Sequence, residues 1–307
     1  MGIFLAVAGL LTAIVAPSFA VSSSWLPAAQ PTRLTFLALG SYEYDSNVLQ
    51  LPQTGGDSPT DKEDLSYFAF LFANYRGVPS SRTQWRAFAF WKDYEKLNDL
   101  DMSGLSLGIQ QGIPVSIGET YWRYETQYFQ LDRRNYLLLH SAGVDYDILR
   151  KRPEKIVIGY RAGYRDFIPA SFEGLEGFQQ RASLALSRSF HSWLKALKLK
   201  GDAYREDPHD SKFKHKGAEG LLEAALGLPD EWELKLSPSA RWRRCDLPDA
   251  SNFRREEFLV QYAAALSRSM NKWLGIEFSY AYGQNRANRP SLEYKKSVAA
   301  ISLTLAI

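Results

Sequence analysis

Apolar and polar side chains alternate along most of this chain, as they do in β-strands that have two different faces. From position 232 to 243, every even position is apolar and every odd position is polar or charged. Successive side chains of a strand point to opposite faces, so this tract has one apolar face and one charged face. Trp232 and Trp242 stand near the two ends of the apolar face. Strands of outer-membrane barrels have this pattern, with lipid outside, a watery lumen inside and aromatic residues at both interfaces.

The same pattern recurs in fourteen segments that are separated by short or polar breaks. They are 33–45, 65–76, 82–94, 102–111, 116–130, 135–148, 155–166, 179–190, 193–204, 217–228, 232–244, 257–268, 273–282 and 294–307. Segments 65–76 and 82–94 are so apolar that the pattern does not assign their faces, and a bulge is expected there. The sequence predicts an all-β fold: a transmembrane, antiparallel, up-and-down β-barrel of about fourteen strands.

The connections between these segments alternate in length. Those at 77–81, 112–115, 150–154, 191–192, 229–230 and 269–271 are tight, whereas those at 46–64, 167–177, 206–216, 246–255 and 283–291 are longer and polar. Short turns at one end and longer loops at the other are typical of outer-membrane barrels. The short breaks near 96–99 and 132–134 depart from this rule. An even strand count would place both termini at the turn end, in the periplasm.

Alternation alone leaves a second fold open. A soluble β-sandwich or a periplasmic barrel gives the same pattern turned inside out, with the apolar face inside and the charges in water. Strand length, the terminal aromatic residues and the asymmetry of the loops favour the membrane. Closure of the sheet is then required, because an open sheet edge leaves backbone groups unpaired in hydrocarbon.

The first twenty residues have the features of a secretory signal peptide. An apolar run from Ile3 to Ala16 is followed by Pro17 and by small residues at Ser18 and Ala20, although no Lys or Arg precedes it. As a retained anchor, the run is short for a hydrocarbon layer of about 30 Å. We predict a signal peptide over residues 1–20, a periplasmic leader over residues 21–32, a barrel over residues 33–307 and a location in the bacterial outer membrane.

Composition excludes several classes of function. The net charge is only +3, and basic residues are interleaved with acidic ones, which argues against a nucleic-acid partner. The sequence has neither a glycine-rich phosphate loop nor zinc-ligand spacing, so we expect no cofactor and no metal. Cys245 is the only cysteine, which excludes a disulfide within the chain. We expect the partners to be outer-membrane lipid and the barrel-assembly machinery, and the sequence does not predict an oligomeric state.

A short stretch at the end of the first segment resembles a known family. The sequence Tyr-Asp-Ser-Asn-Val, residues 44–48, is similar to a stretch near the start of the C-terminal barrel of surface lipoprotein assembly modifiers and related outer-membrane barrels. Residues 289–299 are similar in style to the last hairpin of those barrels. The resemblance implies a fourteen-stranded barrel. It also implies an alternative function, an export-accessory or structural barrel that acts through a secreted protein partner.

Charged residues on the predicted inner face are the main candidates for function. They are Glu119, Arg123, Glu125, Arg161, Arg165, Arg181, Glu219, Glu223, Lys235, Arg241, Arg243 and Glu277. Opposed acidic and basic rows would set a transverse field and tune ion selectivity, as in a porin-like passive channel for small polar solutes. Alternatively, the same charges pair with one another and fill the lumen. Asp45, Ser46 and Asn47 form a second candidate, either a polar knot that orders the first loop or ordinary turn chemistry.

Two adjacent His-Ser pairs raise the question of catalysis. They are His140-Ser141 and His191-Ser192. Neighbouring residues of a strand point to opposite faces, so neither pair forms a Ser–His hydrogen bond locally. His209 and His215 lie beside a predicted loop with nearby aspartates, where solvation is the simpler interpretation than metal binding. We predict no catalytic residue and no enzymatic activity.

Overall fold

A computed structural model describes residues 34–49, 63–77, 81–149, 154–248 and 254–307. The predicted signal peptide, the leader and Arg33 lie outside the described residues. The strands are β1 (Leu34–Asp45), β2 (Asp64–Tyr75), β3 (Thr83–Tyr94), β4 (Met102–Val115), β5 (Gly118–Leu131), β6 (Arg134–Leu149), β7 (Glu154–Phe167), β8 (Gly177–Ser189), β9 (Leu194–Pro208), β10 (His215–Gly227), β11 (Trp232–Leu236), β12 (Ser239–Pro248), β13 (Arg254–Ser269), β14 (Leu274–Ala287) and β15 (Tyr294–Ala306). In these ranges no helix has both the length and the apolar character needed to cross a membrane.

The strands form one closed antiparallel sheet. Apart from β11 and β12, which do not pair with each other, each strand pairs with its neighbours in sequence, and β15 pairs with β1 to close the barrel. Strands β11 and β12 both lie between β10 and β13 in one continuous register, so together they make a single pass. The break falls at Ser237 and Pro238, because proline has no N–H to donate to the ladder. The predicted fourteen-stranded barrel is therefore confirmed.

Some predicted boundaries are wrong. The turn predicted at residues 112–115 lies inside β4, and the actual turn is Ser116-Ile117. Pro114 is tolerated because it stands near the strand end, where the loss of one ladder bond costs little. Irregular register occurs at Phe129/Gln130, Ala225/Leu226 and Arg244/Pro248, and not in the apolar β2 and β3.

The apolar face of the barrel points outward and the charged face points inward. Leu107 and Leu303 are each more than half exposed on the outer wall, whereas the inward-facing Glu43 and Asp45 are almost completely buried. A soluble barrel has the opposite arrangement, because burial of apolar surface stabilises it in water. The distribution excludes the soluble alternative and establishes a transmembrane barrel.

A buried apolar cluster lies inside the barrel at one end. We call this end, where β1 ends and β2 begins, the loop end, and the other the turn end. Strands β1 to β7 and the three segments 46–49, 95–101 and 168–176 contribute the cluster. Its members are Leu39, Val48, Phe68, Phe90, Tyr94, Leu100, Met102, Phe129, Tyr136, Leu137 and Phe167, with Leu97, Phe172 and Leu175 packed against them. Both faces of β2 and β3 are apolar because one contacts lipid and the other joins this cluster, which explains why the sequence pattern did not assign them.

Candidate functional site

Four inward-facing arginines share one row of the sheet. The register aligns Arg123 of β5 with Gly143, Arg161 and Arg181 of the next three strands. The same row continues through Tyr204 and Gly217 to Arg243 of β12. Residues directly opposite one another in antiparallel strands lie on the same face of the sheet. We call Arg123, Arg161, Arg181 and Arg243 the arginine row.

Three acidic residues form a neighbouring row, one step nearer the turn end. Asp145, Asp202 and Glu219 occupy this acidic row on β6, β9 and β10. Arg123 forms an ion pair with Asp145. The Arg181 Nη1 atom lies 3.8 Å from Asp202 Oδ2 and 3.9 Å from Glu219 Oε2. From β5 to β10 the inner wall therefore carries positive charge at one level and negative charge at the next, whereas on β12 and β13 the order is reversed by Arg241, which lies opposite Glu219, and by Glu257, which lies opposite Arg243.

Most other inward charges are neutralised locally. Four of the predicted residues take part in such pairs: Arg165 with Glu206 at 2.6 Å, Lys235 with Glu223 at 3.1 Å, and Arg243 with Glu257 at 2.7 Å. Further inward pairs join Lys92 to Glu43, Lys155 to Asp147 and Lys200 to Asp202. The interpretation that the charges pair with one another thus accounts for much of the inner wall, although these pairs lie along the wall, within a strand or between strands at most two apart, and do not cross the lumen.

Two predicted arginines depart from this pairing. Among the described residues, Arg161 and Arg241 have neither an ion pair nor a side-chain hydrogen bond within contact distance. Arg161 is exposed although it faces inward, and the Arg181 side chain is 41% exposed. Solvent therefore reaches the inner wall at the arginine row.

The remaining predicted residues are acids with different surroundings. Glu125 accepts hydrogen bonds from Ser106 Oγ at 2.6 Å and from Gln127 Nε2 at 2.7 Å. Glu119 accepts a hydrogen bond from the Tyr121 hydroxyl and lies 3.7 Å from Arg82 Nε. Glu277 faces the same interior on β14, opposite Ser267 and Ser302. These acids lie outside the two rows.

Sequence reasoning did not name Asp145 and Asp202 as candidates, although they form most of the acidic row. Their spacing along the strand would have indicated them, because residues two positions apart in a strand face the same side of the sheet. Asp145 stands two positions after Gly143, which lies between Arg123 and Arg161 in the register, and Asp202 stands two positions before Tyr204. Without the register, nothing in the sequence indicates which positions of neighbouring strands share a level.

The two His-Ser pairs are arranged as the strand geometry predicts. His140 faces outward, and its Nδ1 atom lies 3.1 Å from the Tyr124 hydroxyl oxygen and 2.5 Å from Thr126 Oγ1, while Ser141 faces inward. His191 and Ser192 lie in the turn after β8, and the Ser192 hydroxyl donates to the Leu194 carbonyl. His215 lies opposite Cys245, with its Nε2 atom 3.5 Å from Glu206 Oε2.

Solved structures of known proteins share this architecture. An anion-selective porin from Comamonas acidovorans matches with a TM-score of 0.50 and 9% sequence identity, over 89% of this chain and 98% of that chain. The fold is that of an outer-membrane β-barrel. OmpT, an outer-membrane protein of Vibrio cholerae, matches with a TM-score of 0.49 and 7% identity, over 92% of this chain and 99% of its own. A bacterial polysaccharide outer-membrane secretin matches with a TM-score of 0.48 and 11% identity, over 90% and 98% of the two chains.

No family model and no curated protein matches the sequence of this barrel. The structural likeness at these identities shows the fold and nothing finer. The resemblance to surface lipoprotein assembly modifiers therefore stays a prediction that rests on a short stretch of sequence.

That stretch, residues 44–48, lies at the seam where the barrel closes. Asp45 and Lys296 form an ion pair of 2.6 Å between β1 and β15. The Ser46 N–H donates to the Ser297 carbonyl, and the Ser297 N–H donates to Ser46 Oγ. Asn47 Nδ2 donates to the Lys295 carbonyl, and the Asn47 N–H donates to Asp45 Oδ1. The bond from the Asn47 N–H to Asp45 is the expected turn chemistry. The bonds to residues 295–297 also hold β1 and β15 together at the loop end of the seam.

Replacement of Asp45 by asparagine tests this fastening. Asparagine keeps an acceptor for the Asn47 N–H but loses the charge that pairs with Lys296, so we expect the free energy of unfolding to fall by about 1–3 kcal/mol. Denaturant unfolding in lipid vesicles would measure the change. Asp99→Asn is the matched control, because Asp99 is an exposed acid at the same end of the barrel. Equal effects of the two substitutions would contradict the role of Asp45 at the seam.

Proposed function

We propose that this protein is a passive channel of the bacterial outer membrane for small polar solutes, with a preference for anions. Barrels of about eight strands are filled by their own side chains, whereas those of sixteen to eighteen strands enclose an aqueous channel. Fourteen strands fall between these limits, so side chains decide whether the lumen conducts. Here the exposed, inward-facing Arg161 and Arg181 support a lumen that holds water.

The observation that carries the anion preference is the arginine row with its unpaired member. Arg161 has no acid within ion-pair distance among the described residues, and Arg181 contacts its two acids only at 3.8 Å and 3.9 Å. These guanidinium groups keep donors free for an anion, and arginine binds carboxylate and phosphate groups through paired N–H donors. A solute entering from the loop end reaches the arginine row before the acidic row. The Comamonas acidovorans porin of similar fold is anion-selective, which agrees with this proposal.

The fold and the predicted signal peptide both support a location in the bacterial outer membrane. The outward apolar wall requires lipid, and the Comamonas acidovorans structure of similar fold is a porin. We propose that residues 1–20 direct export and that the barrel-assembly machinery inserts the chain. The apolar cluster at the loop end closes part of the lumen beside β1 to β7, so we place the conducting path beside β7 to β12.

Single-channel recording tests the proposal. Purified protein inserted in a planar bilayer should give stable conductance steps, and a potassium chloride gradient should give a reversal potential of the sign that indicates chloride preference. Insertion is checked independently by heat-modifiable mobility on a gel. Inserted protein without conductance would contradict the channel, and a reversal potential of the opposite sign would contradict the anion preference.

A further inference from the structure

A cavity lies on the outer wall of the barrel, beside the seam. Its volume is about 570 Å³, which is within the range of ligand-binding pockets. The floor is the backbone of β1 and β2 at Gly40 and Ala69. A Cβ atom added to Gly40 would meet no atom within 4 Å, so the missing side chain leaves open space. We call this cavity the Gly40 groove.

Apolar walls and an aromatic roof shape the Gly40 groove. Leu303 of β15 and Trp91 of β3 stand on either side of Gly40 and Ala69 in one register row. In the next row toward the loop end, the rings of Tyr42 and Tyr67 lie 5.0 Å apart. Both tyrosine hydroxyls donate to Glu95 Oε1 at 3.3 Å, which fixes the roof in place. The groove is thus open toward the membrane and ends at a polar rim.

Its position determines what can fill the groove. The large side chains that shape the groove, Tyr42, Tyr67, Trp91, Ile301 and Leu303, are exposed on the outer wall, where a transmembrane barrel meets hydrocarbon. An apolar cavity of this kind is filled by apolar groups, and the chain of a neighbouring lipid is the apolar group available along the wall. A lipid chain lying against Gly40 would have its headgroup beside the tyrosine roof, where aromatic residues meet the interface.

The charge of the rim indicates the headgroup. Three carboxylates stand there, each hydrogen-bonded to an aromatic donor: Glu95 by the two tyrosines, Asp93 by Trp91 Nε1 and Glu63 by the Tyr44 hydroxyl. Among the described residues, none of the three has a cationic side chain within ion-pair distance. Three negative charges with no ion-pair partner among the described residues repel a headgroup that is only anionic and attract one that carries an amine.

We propose that the Gly40 groove is a binding site for one acyl chain of a phospholipid whose amine-bearing headgroup contacts the rim carboxylates. The proposal requires the barrel to lie in a membrane but does not require it to conduct. Failure of this site would leave the channel proposal unaffected, because the arginine row lies on the inner wall.

Native mass spectrometry tests the site. Protein is reconstituted in nanodiscs that contain equal amounts of phosphatidylethanolamine and phosphatidylglycerol, and the lipids retained after release are counted. The original protein should retain one phosphatidylethanolamine in preference to phosphatidylglycerol. Gly40→Leu fills the groove and should lower this retention at least tenfold. Ala69→Leu fills the groove from the neighbouring strand and serves as a second variant should Gly40→Leu fail to fold.

Gly201→Leu is the matched control. Gly201 also faces outward on β9, and a Cβ atom there also meets nothing within 4 Å, but Asp207 and Asp246, two described acids on this wall toward the loop end, both form ion pairs with Arg205. The double variant Glu95→Gln with Asp93→Asn should keep the bound lipid and lose the preference for the amine.

Three results would overturn the proposal. Equal lipid retention by Gly40→Leu and Gly201→Leu would exclude an acyl chain from the groove. Equal retention of the two lipids by the original protein would exclude recognition of the amine. A dimer that Gly40→Leu dissociates would show that a second copy of the chain fills the groove.

Discussion

Replacement of Arg161 and Arg241 together by glutamate is expected to convert the channel from anion preference to cation preference. Neither arginine has an acid partner among the described residues, so the substitutions leave no acid without its ion-pair partner. They add two negative charges beside Asp202 and Glu219 of the acidic row and remove two positive ones. Because side chains that line a pore set its ion selectivity, the sign of the reversal potential should change.

The measurement is the reversal potential in a potassium chloride gradient, at low and at high mean concentration. Screening shortens the reach of a charge from about 10 Å at 0.1 M salt to about 3 Å at 1 M, so the change should be larger at low salt. Arg244→Glu with Arg286→Glu is the control, since both residues face outward near the loop end. A reversal potential that stays the same in the Arg161 and Arg241 variant would show that these residues do not line the conducting path.

Arg243 is a poor choice for such an experiment, although the sequence places it beside Arg241. The structure pairs it with Glu257, whose second oxygen is bonded to Arg255, in a largely buried cluster. Glutamate at position 243 would place two acids together out of contact with water. The loss of the buried pair would then destabilise the barrel and obscure any change in selectivity.

Replacement of Leu199 by lysine is expected to destabilise the barrel by about 2–4 kcal/mol, the cost of a lysine on the lipid face near the middle of the membrane. Leu199 lies outward on β9 and is more than half exposed, whereas its neighbours Lys198 and Lys200 point inward. Reversible unfolding by denaturant in lipid vesicles measures the loss. The physical reason is the transfer of an ammonium group into hydrocarbon, where no water and no acid compensates it.

Leu221→Lys is the matched control, because it makes the same substitution at a leucine that faces inward instead of outward. Leu221 faces inward on β10, and Glu219 and Glu223 stand on either side of it along the same face. We expect its substitution to change the free energy of unfolding by less than about 1 kcal/mol, since changes inside such barrels act chiefly on selectivity. A similar loss for both variants would refute the assignment of inner and outer faces.

Much of the inner wall could be predicted from the alternation of apolar and polar residues along single strands. Over residues 119–125, 155–165 and 239–243 every charged residue stands at an odd position, so the sequence indicated that Arg123, Arg161 and Arg241 lie on the polar faces of their strands. The prediction did not assign faces in β2 and β3, where phenylalanines face the interior and leucine, tyrosine and tryptophan face outward. A period of two carries no information when both faces are apolar, and only contacts between strands then distinguish lipid from core.

The sequence did not predict which charged residues form ion pairs with one another. Asp202 forms ion pairs with both Arg181 and Lys200, whereas Arg161 has no acid within ion-pair distance among the described residues. The register between strands decides which charged side chains come this close together. A shift of one residue would send every side chain to the other face, and a shift of two would pair different charges. The polar residues at 45–47 likewise act on β15, some 250 positions later, so no local reading could reveal their part in closing the barrel.

By itself, the sequence determined the fold class, the number of passes and the identity of the charged face, because these depend on a periodicity that each strand carries independently. Only the tertiary structure decided where the lumen is apolar, which arginines stay unpaired and where the outer wall has a groove. Those features depend on register, closure and the placing of Gly40 between Leu303 and Ala69, and each of them joins strands that are distant in sequence.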